Sequence, residues 1–429
     1  MGVRTRLALA VGLLGAMGCV SRPPGLSDAG SADRRGVVRP VSSSPDACAA
    51  QPPPACPVAT VTEGAGLLSL DRCAFALQEG ADFESAPPLI AALESLAPRV
   101  GVGEVLEDLN RTGASTAYVP GSPAGIGFAF TWSARDLSDP TWIPQGITGS
   151  PDATATGWVE GKRVLLVSWY QAPGSPGPRK GIRVAFVDTS GATDPRYRFV
   201  LLVAPTGTVA APDFAPIPLH AGGIAWVGNL LYVVDTLKGF RVFDLTHILR
   251  VRTDEDRIGC DAGGCRAGLY QYALPQIGSY TTASPCAPRF SFVSLDRTST
   301  PPALVSGEYC DELLCETPLA GRVFRWPVSL ATGRLGTGRF WPSEADLIGQ
   351  TQVQGAASHA GRWLFSSSAP SGQGGALYRV GPQGSAVSGW VDTPEDLMLD
   401  ATHHWIYGLS EGRGTRTVFA ADLDLYLPP

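Results

Sequence analysis

Between His220 and Leu245 the chain reads HAGGIAWVGNLLYVVDTLKGFRVFDL, an alternation of short apolar runs and turn residues. It predicts three strands: GGIAWV, LLYVVD after a Gly228-Asn229 turn, and FRVFDL after a turn closing at Gly239. Each run is β-branched or aromatic, and Gly and Asn mark the breaks. The pattern returns at 156–188, where Trp158 aligns with Trp226. It returns again from FSFVSLD at 290–296, from VQGAAS at 353–358 and from EDLMLD at 395–400. Units that bury their apolar faces only against their neighbours make a repeat fold. Irregular spacing and hairpin connections favour a β-propeller over a solenoid.

The expected fold is therefore all-β, a propeller of five blades. A sixth blade within the 246–288 connection is the alternative. GIGFAFTW at 125–132 is strand-like and precedes the first repeat without a partner, whereas the last repeat shows only three strands before Pro429. That orphan strand is expected to complete the last blade and so remove a free sheet edge.

Ahead of the repeats the pattern changes. Arg4, Arg6 and the apolar run LALAVGLL predict a lipoprotein-type signal peptide over 1–19, with Cys19 as the lipidated residue. Residues 20–60 are rich in Pro and Ser and predict a disordered tether. Within 61–111, Leu89, Ile90, Leu93 and Leu96, then Val105, Leu106 and Leu109, recur at helical spacing. They predict a helical brace that Pro98 and Gly101 split in two. The propeller then occupies 112–429. No other stretch is long and apolar enough for a membrane helix, so a lipid anchor is the expected membrane contact. This places the chain outside the cytoplasm, lipid-anchored in the cell envelope or secreted.

Charge and cysteine refine this address. The chain has 33 Lys and Arg against 39 Asp and Glu, with no basic patch of the kind nucleic acid requires. Apart from Cys19 there are eight Cys, which in an exported chain read as disulfides. Cys260–Cys265 and Cys310–Cys315 are the natural local pairs. Cys286 then bonds one of Cys48, Cys56 and Cys73, and the other two bond each other. PQGITGS, HAGGIAW…LYVVDT, QGAAS and TPEDL…LSEG resemble a group of secreted proteins of high-GC bacteria taken to be β-propellers. The resemblance spans about 140 to 425 and implies fold and export, without an activity.

In a propeller, the loops leading into first strands and out of second strands share one face, at the mouth of the central channel. The binding candidates before first strands are Asp152, His220, Arg289, Gln354, Glu395 and Asp396. After second strands they are Trp169 and Tyr170, beside Ser168; Asp235; Glu308 and Tyr309; Ser366 and Ser367; and Ser410 and Glu411. Aligning Trp158 with Trp226 sets Asp152 opposite His220, so the two are expected to pair. Asp and Glu at strand ends also cap turns, and each single candidate has that plainer explanation. Gly408-Leu409-Ser410-Glu411-Gly412 matches a nucleophile-elbow pattern but continues into a strand, not a helix. His403 and His404 are adjacent in a turn on the other face, where they do not converge on one ion. No metal site is expected; a calcium site made of Asp152, Glu395 and Asp396 is the sole cofactor alternative. The reading is a monomer that binds a small molecule, glycan or protein partner at the mouth. The alternative is a hydrolase or lyase acting on a carbohydrate or lactone through Glu395 or Asp396 with His220.

Overall fold

The structure is a computed structural model that describes residues 46–50, 52–191, 194–368, 374–381 and 384–428. The signal peptide, Cys19 and the tether up to residue 45 lie outside the described residues.

Strands follow one another in sets of four. The first set is Trp142–Gly149, Val164–Gln171, Ile182–Asp188 and Arg196–Thr208. The second is Ile224–Val227, Leu230–Asp235, Gly239–Asp244 and Tyr272–Thr282. The third is Phe290–Asp296, Ala303–Glu308, Arg322–Pro327 and Glu344–Leu347. The fourth is Val353–His359, Arg362–Ser367, Ala376–Gly381 and Gly384–Gly389. The last is Pro394–Asp400, Trp405–Ser410 and Thr417–Asp422, with Ile126–Thr131 as its fourth member. Ile126–Thr131 runs antiparallel to Thr417–Asp422, so the strand ahead of the repeats does pair with the end of the chain.

The first strand of each set packs beside the first strand of the next, and the last packs beside the first. The chain is thus an all-β propeller, with the first strands of its sets nearest the axis. The outermost strands of the first two sets also join, through a parallel pairing of Leu201–Val203 with Ala273–Pro275. The 246–288 connection supplies Tyr272–Thr282 as an outer strand of the second set, together with the small hairpin Ile258–Asp261 and Gly264–Ala267.

Apolar residues inside the sets explain why they stack. Every residue of Leu230–Asp235 is buried, because this strand is covered by sheets on both sides. Gly228, at φ +60°, supplies the left-handed conformation that a two-residue hairpin needs. Between the last and first sets, Trp132, Trp169, Tyr197 and Phe199 meet edge-to-face at 4.9–5.6 Å.

Helices Asp82–Leu96 and Val102–Glu107 lie outside the strands. Asp82–Leu96 packs on Tyr272–Thr282, and its Asp82 carboxylate accepts from Gln276 and Ser279 at 2.9 and 3.0 Å. Cys48 is joined to Cys73 and Cys56 to Cys286, a separation of 230 residues. Cys260–Cys265 and Cys310–Cys315 close short loops. Four disulfides fit an oxidising, extracytoplasmic compartment. No described helix is long and apolar enough to cross a membrane.

Candidate functional site at the channel mouth

One carboxylate sets the level of the inner strands. Asp396 Oδ2 accepts from Ile147 N at 3.4 Å and from Ile224 N at 3.2 Å. Trp226 N donates to Thr148 Oγ1 at 3.0 Å, and Gly228 N to Ala153 O at 3.2 Å. The first two inner strands therefore run in the same direction. Their leading ends carry Gln145 and His220; their trailing ends carry Asp152 and Gly228.

The leading ends are irregular for a reason. Pairing shifts register between Pro144 and Ile147, Phe290 and Phe292, Val353 and Gly355, and Pro394 and Leu397. The extra residues are Gln145-Gly146, Ser291, Gln354 and Glu395-Asp396. A bulge bends its strand and re-aims side chains, and here it recurs at one level of the ring. Below that level the strands close to backbone contact. A Cβ at Gly223 would stand 2.2 Å from Val293 N, and one at Gly355 would stand 2.7 Å from the Asp396 Cα. Asp396, fully buried, forms the floor beneath the mouth.

Two further carboxyls sit above it. Gln145 Nε2 donates to Glu411 Oε2 at 3.0 Å, and the same amide bonds Glu395. Glu395 and Gln145 are buried, whereas Glu411, Tyr170 and Tyr309 are half-buried and His220 is exposed. Burial pushes the Glu395 carboxyl well above the usual range, and the charges of Glu411 and Asp396 push it further. Burial also raises Glu411, which the Gln145 amide and the Arg416 guanidinium partly oppose. Asp396 is raised by burial despite its backbone donors, and its Oδ1 has no partner. No ion pair of these three carboxyls is found among the described residues. Carboxyls raised in this way keep their protons to higher pH than free ones, and a protonated carboxyl donates as well as accepts.

Aromatic groups frame the acids. Tyr170 and Tyr309 are both raised, first by burial and then by nearby carboxylates that include Glu395 and Glu411; Tyr309 reaches about 12. The Tyr170 and His220 rings lie 4.4 Å apart. His220 is reached by solvent yet crowded by the ring of strands, which pushes its imidazole down to about 4. It is neutral at pH 7, a donor and acceptor without charge.

The other expected positions divide. Gln354 and Arg289 are half-buried at the leading ends, where Arg289 N donates to Glu308 at 2.8 Å. Glu308 is taken up by Arg322 at 2.6 Å, and Asp235 by Arg241 at 2.9–3.0 Å, so both serve the sheets. Trp169 is wholly buried in the aromatic stack and does not face the mouth. Asp152 is the clear correction. It follows its inner strand, in the turn Ser150–Ala153, and accepts from Thr148 Oγ1 at 2.7 Å. It therefore lies at the opposite end from His220 and neither pairs with it nor joins Glu395 around a calcium ion. The cause is a register error: Trp158 lies in the turn after the inner strand, not in that strand as Trp226 does. His403 bonds Asp400 at the trailing end. Among the described residues, no three His, Cys, Asp or Glu side chains are grouped to hold a metal. Gln145 and Arg416 were missed by sequence reasoning. The visible signal for Gln145 was Pro144-Gln145-Gly146 interrupting an apolar run, the composition of a bulge.

No family model matches the chain, and no curated protein matches it. Several solved structures resemble it. Hydrazine synthase of Kuenenia stuttgartiensis is 14% identical, over 68% of this chain and 79% of its own, with a TM-score of 0.32. A gluconolactonase of Xanthomonas campestris is 12% identical over 73% and 88%, with a TM-score of 0.33. A GH43_1 enzyme of Xanthomonas citri, solved with xylotriose, is 12% identical over 78% and 92%, with a TM-score of 0.32. At these scores the likenesses carry no argument about activity.

Proposed function

We propose that the chain is a five-bladed propeller, exported and lipid-anchored through Cys19, that binds a small hydroxyl-bearing ligand at the channel mouth. The Glu395–Gln145–Glu411 cluster carries this reading. It sets a buried and a half-buried carboxyl on one amide, with no ion pair to either among the described residues, beneath a rim of Tyr170, His220 and Tyr309. Keeping carboxyls in that state costs stability. A neutral ligand rich in hydroxyls would take hydrogen bonds from the protonated carboxyl, give them to the ionised one and stack on the tyrosines. The test is titration calorimetry with neutral sugars and sugar lactones. Binding that Glu395→Gln weakens at least about tenfold, with unchanged melting temperature, supports the proposal. No binding of any probe, or binding indifferent to the substitution, refutes it.

The raised carboxyl of Glu395 favours one second reading, hydrolysis of a carbohydrate or lactone at the same mouth. A protonated Glu395 would give its proton to the departing oxygen, and an ionised Glu411 would take one from the attacking water. Turnover of chromogenic glycosides or lactones by the purified protein, abolished by Glu395→Gln, would establish it. Binding without turnover leaves the first reading standing alone.

A further inference from the structure

The outer edges of the five sets are not alike. Four are covered by further strands of the same chain. Arg196–Thr208 is met by Arg111–Thr112 and Ala211–Pro216, and Tyr272–Thr282 by Leu77–Glu79 and Ile248–Arg250. Glu344–Leu347 is met by Leu68–Ser69, and Ile126–Thr131 by Ala114–Ser115. Gly384–Gly389, the outer strand of the fourth set, pairs only with Ala376–Gly381 among the described residues. Its outward N–H and C=O groups have no backbone partner there.

An open edge is a template for another strand, and proteins commonly guard one with charge, proline, a bulge or a cover. This edge has none of these. It reads Gly-Ser-Ala-Val-Ser-Gly, without charge or proline, and its register with Ala376–Gly381 is unbroken. All six residues are exposed, Val387 at 62%. A Cβ placed on Gly384 or Gly389 would meet no atom within 4 Å, so both ends of the strand stand in open space. Ser385 Oγ donates to Gly64 O at 2.6 Å, which ties down the start of the strand and leaves Val387 uncovered.

We propose that this edge pairs with the same edge of a second copy of the chain, in place of the monomer expected from the sequence. Two copies related by a two-fold axis run antiparallel, and sheet geometry then restricts the register. Opposed residues point to the same face, so a residue opposes either its own copy or a residue an even number of positions away. Centring the pair on Val387 sets Val387 against its own copy, and Ala386 against Ser388 in both directions. Val387 already stands opposite Tyr378 within its set, so the two copies join their Tyr378–Val387 pairs into one row across the axis. A two-fold pairing brings like residues together, which a charged strand resists; this strand has no charge to repel its copy. The contact does not depend on the ligand proposed at the mouth.

The test is sedimentation equilibrium of the full chain from about 1 to about 300 µM, where the mass should rise from one copy towards two. An edge of six residues is a small interface, so the dimer should be reversible. Val387→Lys sets two ammonium groups face to face across the axis. It should raise the dimer Kd at least about tenfold, without moving the melting temperature at the lowest concentration. Leu313→Lys, in the Cys310–Cys315 loop at a residue 92% exposed, should leave the dimer as it is. Val387→Cys should join two chains by a disulfide on oxidation with diamide, and Leu313→Cys should not. A single copy at every concentration, a dimer that Val387→Lys leaves intact, or equal cross-linking of the two cysteine variants would each overturn the proposal.

Discussion

Two groups of acids at opposite ends of the inner strands are treated in opposite ways. At the trailing end, Asp296 and Asp400 are taken up by guanidinium groups. Asp296 meets Arg325 Nη1 at 2.5 Å and also accepts from Ser358, while Asp400 meets Arg163 Nη2 at 2.6 Å. At the leading end, Glu395, Glu411 and Asp396 are buried or half-buried with amides and backbone N–H as partners. The difference shows in protonation. Asp296 is buried too, but its hydroxyl donors and Arg325 hold its carboxyl below the usual range, whereas burial lifts Glu395 and Asp396 well above it. The trailing end is built to hold sheets together. The leading end keeps polar groups in an unfavourable state, which is how binding and catalytic sites are commonly made.

The largest effect that would sharpen this contrast is at Asp296. Asp296→Ala takes from Arg325, which is 5% exposed, its buried partner and leaves it, of its acids, only the exposed Glu344 carboxylate at 2.7 Å. It should cost about 3–5 kcal/mol in denaturant unfolding, as removal of one member of a buried pair does. A loss below about 1 kcal/mol would erase the distinction between the ends.

Asp152 gives a smaller, pH-dependent effect. It sits at the trailing end without a direct ion pair; burial raises its carboxyl to about 7, against the Thr148 hydroxyl and Arg297, with Asp400 adding to the rise. The folded chain then keeps a proton that the unfolded chain has released. That contribution is fully present below about pH 4 and is lost as pH rises through about 7. Asp296 has the opposite sign, its share being present above the ordinary carboxyl pKa and lost in acid. Asp152→Asn should therefore flatten the fall in stability between pH 5 and 8 by about 1–3 kcal/mol. An unchanged slope would show that Asp152 is ionised throughout.

Much of the architecture was legible because it rests on local pattern. Apolar runs with Gly and Asn turns marked the strands of the second set, and the orphan strand at 125–132 found its partner at Thr417–Asp422. The bond expected of Cys286 is made to Cys56. What failed was register in the first set. Its inner strand, WIPQGITG, contains Pro144 and a bulge, so it lacks the alternation that marks a strand, and Trp158 took its place in the alignment. That one slip carried Asp152 to the wrong end. Glu395 and Glu411 were visible as polar residues at the ends of apolar runs. Their meeting through Gln145 was not, because it joins residues 266 positions apart across two sets of strands.

The central claim is that the leading-end acids are kept for binding and not for stability. The most direct test is the melting temperature at pH 7 of the double variant Glu395→Gln, Glu411→Gln. Removing one buried and one half-buried ionisable group while keeping their shape should leave it unchanged or raise it by a few degrees. A fall as large as that of Asp296→Ala would mean that these carboxyls hold the propeller together, and the account of the mouth would be wrong.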